Sequence, residues 1–345
     1  MKTLGKHGGI LIFAEQEDGE IHQVSFELLG KGRELADRLG VQLNAVLLGW
    51  RMEKKASELI YRGADNVFLY DHPSLQDFDV IRYKRNILKL VKETRPDIFL
   101  IGATRIGRTL APRIAAALRT GLTADCIDLD LDDDANLIQI RPAFSGNIMA
   151  QIKTKTRPQM ATVRYRVMKM RERDTSRKGR IIKKEVEIVE ETGMKIIEKI
   201  KADEVNLADA EVIVSGGRGL KKPEDFKLLQ ELAESLGGVV GSSRPLVDAG
   251  WISKDHQVGF SGNTVKPKVY IACGISGSPQ HLFGMRDSDI IIAINKDPTA
   301  PIFNVSDYGI IGDLYEVVPL LIREIKGELR GKRRDEKNRG YNWEA

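Results

Sequence analysis

The sequence is poor in cysteine and histidine, and this shortage excludes several kinds of site. Its 345 residues include two cysteines, Cys126 and Cys273, and five histidines, none of them spaced as metal ligands. A zinc site, a disulfide framework or an iron–sulfur cluster needs clustered ligands. The chain also shows no Ser/His/Asp or Cys/His set with useful local spacing. No metal site and no catalytic residue are therefore predicted, and redox chemistry would need an organic cofactor.

Long apolar runs, aromatic residues and a large net charge are also lacking. The N-terminal apolar run, 10–14, is too short for a signal peptide or a membrane span, so a cytoplasmic protein is expected. The formal net charge is +5, and the basic stretches 164–184 and 323–339 are interleaved with acids. A nucleic-acid face would normally add aromatic residues that stack on bases. These stretches therefore indicate solvated surface or a contact with an acidic protein, and no nucleic-acid partner is expected.

What the sequence does contain is an alternation of strand and helix patterns. The length predicts two domains. Short apolar runs typical of a buried parallel sheet predict strands at 9–15, 41–48, 66–70 and 97–103. Apolar residues three and four positions apart predict helices at 26–39, 52–62, 79–94 and 108–119. The first domain is therefore expected to be a doubly wound α/β domain.

The pattern changes in the middle of the chain. Between 125 and 168, polar and apolar residues alternate, as in 137–141 and 161–167, which predicts an added antiparallel or mixed edge. The charge-dense stretch 171–191 is interpreted as part strand and part connection, and the domain boundary is placed near 205. The first domain is thus expected to span 1–205.

A second series of strands and helices follows this boundary. Strands are predicted at 210–215, 238–241, 268–273 and 289–295. Helices are predicted at 223–236, 279–285 and 313–324. The alternation predicts a smaller doubly wound domain at 206–327. The polar, basic tail at 328–345 is either an extension that orders on contact or a frayed terminus.

Five loops rich in glycine and serine follow the strands of the second domain, where a parallel sheet binds its ligands. They span 215–219, 241–245, 259–264, 274–281 and 295–298. Glycines let backbone N–H groups approach a phosphate closely, and a helix opening at Pro279 would favour a pyrophosphate. A dinucleotide fingerprint of the NAD type is disfavoured, because Lys222 stands where that pattern needs glycine and no clear acidic ribose partner follows.

The order of motifs in this half resembles a known family. The runs are Val258-Gly-Phe-Ser-Gly-Asn-Thr, Tyr270-Ile-Ala-Cys-Gly-Ile-Ser-Gly-Ser-Pro-Gln-His-Leu, Ile292-Ala-Ile-Asn-Lys-Asp-Pro-Thr-Ala-Pro-Ile-Phe and 307–311. Together they closely resemble the C-terminal domain of electron transfer flavoprotein alpha subunits, and the N-terminal half resembles the family's first domain more diffusely. The resemblance implies a Rossmann-like (adenine-nucleotide-hydrolase-like) first domain and a parallel-sheet FAD-binding second domain.

The resemblance also implies the residues that hold one FAD on this chain. They are Arg218, Ser243, Arg244, Val258, Gly259, Phe260, Ser261, Gly262, Ser276, Gly277, Ser278, Pro279, Gln280, His281, Asn295, Asp313 and Leu314.

Individual roles follow from the same match. Ser243 and Arg244 would lie beside the isoalloxazine, where a guanidinium favours anionic flavin states. Ser261, where the family often has threonine, would contact flavin N5, and His281 would hydrogen-bond flavin O2. Arg218 also reaches the flavin cofactor in this reading, while Asn295, Asp313 and Leu314 match the adenosine end. The plain alternatives are surface salt bridges for the two arginines, a turn hydroxyl for Ser261, a polar residue at a helix N-terminus for His281 and a helix N-cap for Asp313.

The family resemblance implies an electron carrier that works as a heterodimer with a beta subunit, on which a second FAD or an AMP is expected. The stretches 243–251 and 261–267 resemble prokaryotic and bifurcating or nitrogen-fixation-type members more than the mitochondrial type. Partner dehydrogenase or quinone-oxidoreductase subunits are then expected, and any membrane association would run through these partners. The chain lacks a cysteine-rich ferredoxin-like extension, so an iron–sulfur centre would sit on another subunit.

Two other functions stay open on the sequence. One is an NAD-dependent transferase on a deoxyhypusine-synthase-like or sirtuin-like fold, which would need a catalytic Lys or His facing the nicotinamide. The other is a cofactor-free assembly subunit whose glycine loops are structural remnants. The joint presence of Arg244, Ser261 and His281 argues against an empty site.

Overall fold

The computed structural model describes residues 8–143, 148–189, 193, 207 and 210–339, with side chains described as far as 328. The chain divides into two compact units, Met1–Ile197 and Glu198–Ala345. The predicted domain boundary near 205 lies outside the described residues and stays a prediction. None of the helices in the described ranges is long and apolar enough to cross a membrane.

Unit 1 (Met1–Ile197) is built on a seven-stranded parallel sheet in the order β12-β5-β4-β1-β6-β11-β7. Its strands are β1 (Ile10–Ala14), β2 (Gln16–Glu17), β3 (Glu20–Ile21), β4 (Leu43–Gly49), β5 (Asn66–Asp71), β6 (Ile98–Gly102), β7 (Leu122–Cys126), β8 (Asp128–Leu131), β9 (Leu137–Ala143), β10 (Ile148–Lys153), β11 (Gln159–Val163) and β12 (Arg180–Lys183). Its helices are α1 (Gln23–Leu39), α2 (Glu53–Tyr61), α3 (Val80–Thr94) and α4 (Arg105–Leu118). Separate apolar cores cover the two faces of the sheet.

The predicted edge at 125–168 is correct in one part and wrong in another. Strands β10, β9 and β8 do form a three-stranded antiparallel sheet. Strand β11, however, lies inside the main sheet, parallel to both β6 and β7. Thr162 fits the alternating pattern as a residue that faces water. Its side chain is instead buried and accepts a hydrogen bond from the Asp125 amide at 3.0 Å. The stretch 171–191 contributes the edge strand β12.

Unit 2 (Glu198–Ala345) is built on a six-stranded parallel sheet in the order β15-β14-β13-β16-β17-β18. Its strands are β13 (Val212–Gly216), β14 (Val239–Ser243), β15 (Gln257–Val258), β16 (Val269–Cys273), β17 (Ile290–Asn295) and β18 (Tyr308–Ile311). Its helices are α5 (Phe226–Ser235), α6 (Arg244–Asp248), α7 (Pro279–Leu282) and α8 (Leu314–Arg339). One face packs against α5 and α8, and a second core covers the other face.

Helix bounds in unit 2 differ from the sequence prediction at three places. Helix α5 begins at Phe226, after a 3₁₀ turn at Pro223–Asp225, whereas the prediction begins at 223. Helix α7 ends at Leu282, whereas 279–285 was predicted. Helix α8 continues to Arg339, whereas an end at 324 was predicted. Glutamate, lysine and arginine are good helix formers, so the charged stretch after 324 can continue the helix. It was not predicted as helix because it has no apolar face.

Candidate functional site

The carboxyl edge of the unit 2 sheet brings the five glycine and serine loops together. The chain adds β14 and β15 on one side of β13 and then returns to place β16 on the other side. After β13 the chain continues to one face of the sheet and after β16 to the other. Such a topological switch point is where open α/β sheets bind ligands. The predicted site residues all lie in or next to the segments that follow the six parallel strands.

The loops after β13 and β16 are in direct backbone contact. The Gly217 amide donates to the Cys273 carbonyl at 3.0 Å, and the Gly219 amide donates to the Gly274 carbonyl at 3.0 Å. A Cβ on Gly219 would lie 2.6 Å from the Gly274 Cα. These glycines are thus required by the packing of two loops, so part of the glycine signal is structural. Arg218, between them, is exposed.

The loop before α7 has its own reason for glycine. Gly277 has a φ of +87°, and a Cβ there would lie 2.3 Å from the Ile302 amide nitrogen. Ser276, Ser278 and Gln280 stay exposed beside it. Because α7 spans only Pro279–Leu282, its dipole is small, and the expected pyrophosphate site cannot rest on that helix end. Exposed hydroxyl and amide groups are what this loop offers a polar ligand.

The loop after β15 is tied to α7. The Phe260 amide donates to the Gln280 carbonyl at 2.8 Å, and the Phe260 and Phe283 rings meet edge to face at 5.1 Å. Gln257 donates its side-chain amide to Ser261 Oγ at 3.0 Å. Phe260 is 64% exposed, and Ser261 and Gly262 are exposed as well. The fold therefore brings the 258–262 group of predicted residues beside the 276–281 group.

Arg244 opens α6 directly after the buried Ser243. Its guanidinium Nε lies 3.1 Å from Asp248 Oδ2, and both side chains are mostly exposed. A salt bridge this exposed contributes little to stability. Arg244 is therefore a cation available to a ligand at this edge, as the flavin assignment requires.

His281 lies in the first turn of α7, as the plain alternative has it, but its side chain is buried. Its side chain is 5% exposed, and Nε2 lies 3.0 Å from the hydroxyl of Tyr270. Burial lowers the pKa of His281 to about 4, against a smaller opposing effect of the Val258 carbonyl. Nδ1 makes no hydrogen bond of normal geometry to the described residues. A neutral imidazole with one uncommitted nitrogen fits a polar, uncharged contact with a cofactor.

The residues that match the adenosine end of the cofactor are organised around the start of α8. Asp313 Oδ1 accepts a hydrogen bond from the Tyr315 amide at 2.9 Å, which is the capping role that the sequence indicated. Asp313 also pairs with Lys296 at 2.6 Å, and this pairing lowers the pKa of its carboxyl group. Asn295 donates to the Ile275 carbonyl at 2.9 Å. The Leu314 side chain is in the core, so its backbone is what remains for a ligand.

The described residues also form a cavity away from this edge. A cavity of about 300 Å³ opens in unit 1. It is lined by Gln42, Asp65, Asn66, Lys178, Gly179 and Arg180. These residues lie at the amino ends of β4, β5 and β12, the edge opposite to the one where parallel sheets bind ligands. Asp65 there is engaged by Arg33 and Arg177, each at 2.7 Å. The cavity is therefore not assigned as the site.

Sequence reasoning missed the partners of the site residues. Asp248 follows Arg244 by four positions, which is the spacing of a helical ion pair and could have indicated the contact. Lys296 and Gln257 also went unassigned. Tyr270 stands in the recognised motif, but only the fold shows that its hydroxyl reaches His281.

Comparison with known proteins identifies the family of the chain. Residues 10–189 match the family described as the Electron transfer flavoprotein domain. Residues 206–286 match the Electron transfer flavoprotein FAD-binding domain. Unit 2 thus binds FAD, and the exposed arginines, hydroxyl groups and neutral histidine along its carboxyl edge fit that cofactor. These matches do not support the alternative of an NAD-dependent transferase.

Three curated relatives agree over nearly the whole chain. "Electron transfer flavoprotein subunit alpha" of Thermoanaerobacterium thermosaccharolyticum is 54% identical, covering 92% of this chain and 97% of the relative. The protein of the same name from Megasphaera elsdenii is 50% identical, covering 94% and 98%. "Lactate dehydrogenase (NAD(+),ferredoxin) subunit LctC" of Acetobacterium woodii is 45% identical, covering 94% and 78%. The chain belongs to the family of electron transfer flavoprotein alpha subunits.

Proposed function

We propose that this electron transfer flavoprotein subunit works in a heterodimer with a beta subunit, as the single-electron branch of a bifurcating system. In such a system the beta subunit holds a second FAD and takes hydride from NADH, and this chain passes electrons to a dehydrogenase or quinone-linked acceptor. Support comes from the LctC relative, whose name pairs NAD⁺ with ferredoxin. The simpler carrier, with AMP on the beta subunit, is the second candidate.

The observation that carries the carrier function is the chemistry of the carboxyl edge in unit 2. FAD supplies the electron acceptor and donor when bound, while protein groups bind it, orient it and set its potential. Arg244 supplies an exposed positive charge, Ser261 a hydroxyl group and His281 a neutral ring. The hydroxyl–imidazole pair among the described residues at this edge, Tyr270 with His281 at 3.0 Å, has its hydroxyl on a fully buried residue, so it is not presented to a substrate as a nucleophile. We therefore assign binding and tuning roles to these residues and no catalytic step.

Each side chain has a distinct task in this proposal. Arg244 favours negative charge on the flavin by Coulomb attraction. Ser261, oriented by Gln257, offers a hydroxyl to flavin N5. His281 offers an uncharged donor to flavin O2, so it orients the ring without adding charge. Arg218, Ser276, Ser278 and Gln280 are exposed around the same edge and are assigned to the rest of the cofactor.

Counting flavins separates the two candidates. The chain is purified with its co-expressed beta subunit, and FAD is released by acid and counted per heterodimer. Two FAD, together with NADH-driven reduction of both, support the bifurcating proposal. One FAD together with one AMP contradicts it and leaves the simple carrier. A beta subunit purified alone is the control that assigns the second nucleotide to its chain.

A further inference from the structure

The loop after β15 is closed on itself by backbone hydrogen bonds. The Gly259 amide donates to the Asn263 carbonyl at 3.0 Å, and the Asn263 amide donates to the Gln257 carbonyl at 2.7 Å. Inside the loop, the Gly262 amide donates to the Gly259 carbonyl at 3.1 Å. These bonds enclose 258–262, the part of this loop that matches the cofactor. The shape of the loop therefore depends on the point where Asn263 meets the end of β15.

The side chain of Asn263 ties this closure to the turn before β15. Its Nδ2 donates to the Asp255 carbonyl at 2.8 Å and to the Gln257 carbonyl at 3.2 Å. Both partners are backbone carbonyl oxygens, which can only accept, so the direction of both hydrogen bonds is fixed. Asp255 lies in the 3₁₀ turn Lys254–His256. One side chain thus holds the turn, the strand and the end of the loop together.

The Ser261 hydroxyl depends on the same closure. Ser261 is exposed, and its Oγ lies 3.0 Å from the side-chain amide of Gln257. Gln257 is 4% exposed, so it is a firm support. A Cβ on Gly262 would lie 2.5 Å from the Gln257 carbonyl oxygen, which shows that the loop lies directly against β15. The position of the Ser261 hydroxyl is therefore set by how the loop is held on Gln257.

We propose that Asn263 is a positioning residue whose side-chain amide closes the loop 258–262 and so fixes the place of the Ser261 hydroxyl. Asn263 is not among the residues matched to the cofactor, and it would act on the flavin through Ser261 and not by touching it. The inference rests on the proposed contact between Ser261 and flavin N5. Hydrogen bonds weaken steeply when their angle departs from the preferred range, so a displaced loop would weaken this contact even with the hydroxyl present.

The closure of the loop is tested on the full chain without FAD, by hydrogen exchange of the backbone amides in 257–263. Asn263→Ala removes both side-chain hydrogen bonds and adds no charge. We expect the amides of residues 259 and 263 to exchange about tenfold faster, as for the loss of one hydrogen bond. Asn263→Asp, which keeps the shape and replaces the donor with an acceptor, should also speed this exchange. Asn304→Ala is the matched control, because Asn304 is an exposed asparagine of the same unit. Unchanged exchange in both Asn263 variants would overturn the inference.

A double-mutant cycle in the FAD-loaded heterodimer tests whether Asn263 acts through Ser261. Ser261→Ala should lower the first one-electron potential of the flavin, because it removes a donor that favours the electron-rich states. Asn263→Ala should lower this potential in the wild-type background and cause no further shift in the Ser261→Ala background. Asn304→Ala should change neither. Equal shifts from Asn263→Ala with and without the Ser261 hydroxyl would overturn the inference, since a merely structural role does not depend on that hydroxyl.

The same measurements separate this inference from the proposed function. If Ser261→Ala keeps FAD and its potential is unchanged, the contact with flavin N5 is wrong and the inference falls with it, while the carrier function stands. A heterodimer that binds no FAD would contradict the proposed function. Hydrogen exchange in the chain without FAD would then still decide whether Asn263 closes the loop.

Discussion

Burial shifts the pKa of two side chains, His281 and Glu15, in opposite directions. His281 in unit 2 has its pKa lowered to about 4 by burial, so the folded state keeps it neutral beside the cofactor edge. Glu15, which follows β1 in unit 1, has its pKa raised to about 7, chiefly by burial, while the hydrogen bond from Thr104 at 2.6 Å opposes the rise. The two groups predict opposite slopes of stability against pH.

Of His281 and Glu15, Glu15 gives the clearer test of the predicted pH dependence of stability. The unfolded chain loses the Glu15 proton near pH 4.5, whereas the folded chain keeps it until about 7. Stability from this group is therefore lost as pH rises from 4.5 to 7. Glu15→Gln, which keeps an acceptor for Thr104, should stabilise the chain above pH 7 by about 3 kcal/mol and have little effect below pH 4.5. Denaturant unfolding of both proteins across this range measures it. Glu17→Gln, at an exposed neighbour, is the control, and a constant difference at all pH values would contradict the assignment.

His281 acts in the other direction. The unfolded chain takes up a proton near pH 6.5, and the folded chain does so only near 4, so stability falls as pH drops through that window. Between about 4.5 and 6.5 the two groups oppose each other. This is why the wild-type curve alone cannot identify either group, whereas the Glu15 difference curve can.

Arg244 is the residue expected to tune the flavin most. An exposed guanidinium about 4 Å from a developing negative charge contributes about 1 kcal/mol, which is roughly 40 mV for one electron. Arg244→Ala should therefore lower the first one-electron potential of the bound flavin by roughly that amount, measured by potentiometric titration. Arg323→Ala is the matched control, since Arg323 is an exposed arginine paired with Glu324 in the same unit. An equal shift in both variants would contradict a specific role.

At the level of elements, the glycines of the site loops are required by backbone packing as much as by a ligand. Gly277 combines a φ of +87° with a Cβ position 2.3 Å from the Ile302 amide nitrogen. Gly250 has a similar φ of +73° and open space around it. Alanine substitutions at these two glycines therefore separate the free-energy cost of a left-handed backbone from the cost of a steric clash with Ile302.

Gly277→Ala should therefore destabilise unit 2 more than Gly250→Ala does. For Gly250→Ala the left-handed conformation alone costs about 1 kcal/mol. For Gly277→Ala the loop must also move away from Ile302, and both the free energy of unfolding and FAD affinity should fall further. Unfolding of unit 2 can be followed by the fluorescence of Trp251 in a background in which Trp50 and Trp343 are replaced by phenylalanine. Equal losses in the two variants would show that the close contact with Ile302 is not rigid.

The elements also show what the sequence could and could not predict. The buried strands β1, β4, β5, β6, β13, β16 and β17 were predicted because their apolar runs are continuous. Strand β15 was missed because two residues carry no periodicity, and α6 because its five residues follow a glycine and serine loop. Strand β11 was assigned to the wrong sheet because a buried Thr162 imitates an outward-facing position.

The sequence predicts which loops form the site, but it does not predict which side chains contact each other there. Loops that follow parallel strands must meet at one edge, so the grouping of Arg244, Ser261 and His281 followed from topology. The burial of His281 did not, because it depends on Tyr270 and on the loop after β15, which are separated from it along the chain. Hydrogen bonds between distant elements leave no local pattern.

For the whole molecule, the contrast between the two units explains where FAD binds. Each parallel sheet has a switch point, between β1 and β6 in unit 1 and between β13 and β16 in unit 2. In unit 1 that position holds the buried Glu15 and Thr104 pair, whose carboxyl group disfavours a phosphate. In unit 2 the corresponding loops offer exposed hydroxyl groups and arginines. One FAD in unit 2 is the expected outcome.

Ligand protection tests this asymmetry. FAD at 100 times its dissociation constant should stabilise the unit that binds it by about 2.7 kcal/mol. Hydrogen exchange of the full chain should then slow in the loops after β13, β14 and β16, and change little around Glu15 and Thr104. Slower exchange concentrated at the unit 1 switch point would instead place the cofactor in unit 1 and contradict this assignment.

The visible absorption spectrum of the full chain, purified with its co-expressed partner, tests whether this chain carries FAD. We expect flavin absorption bands and one FAD released by acid from this chain. A colourless protein that takes up no added FAD would contradict it.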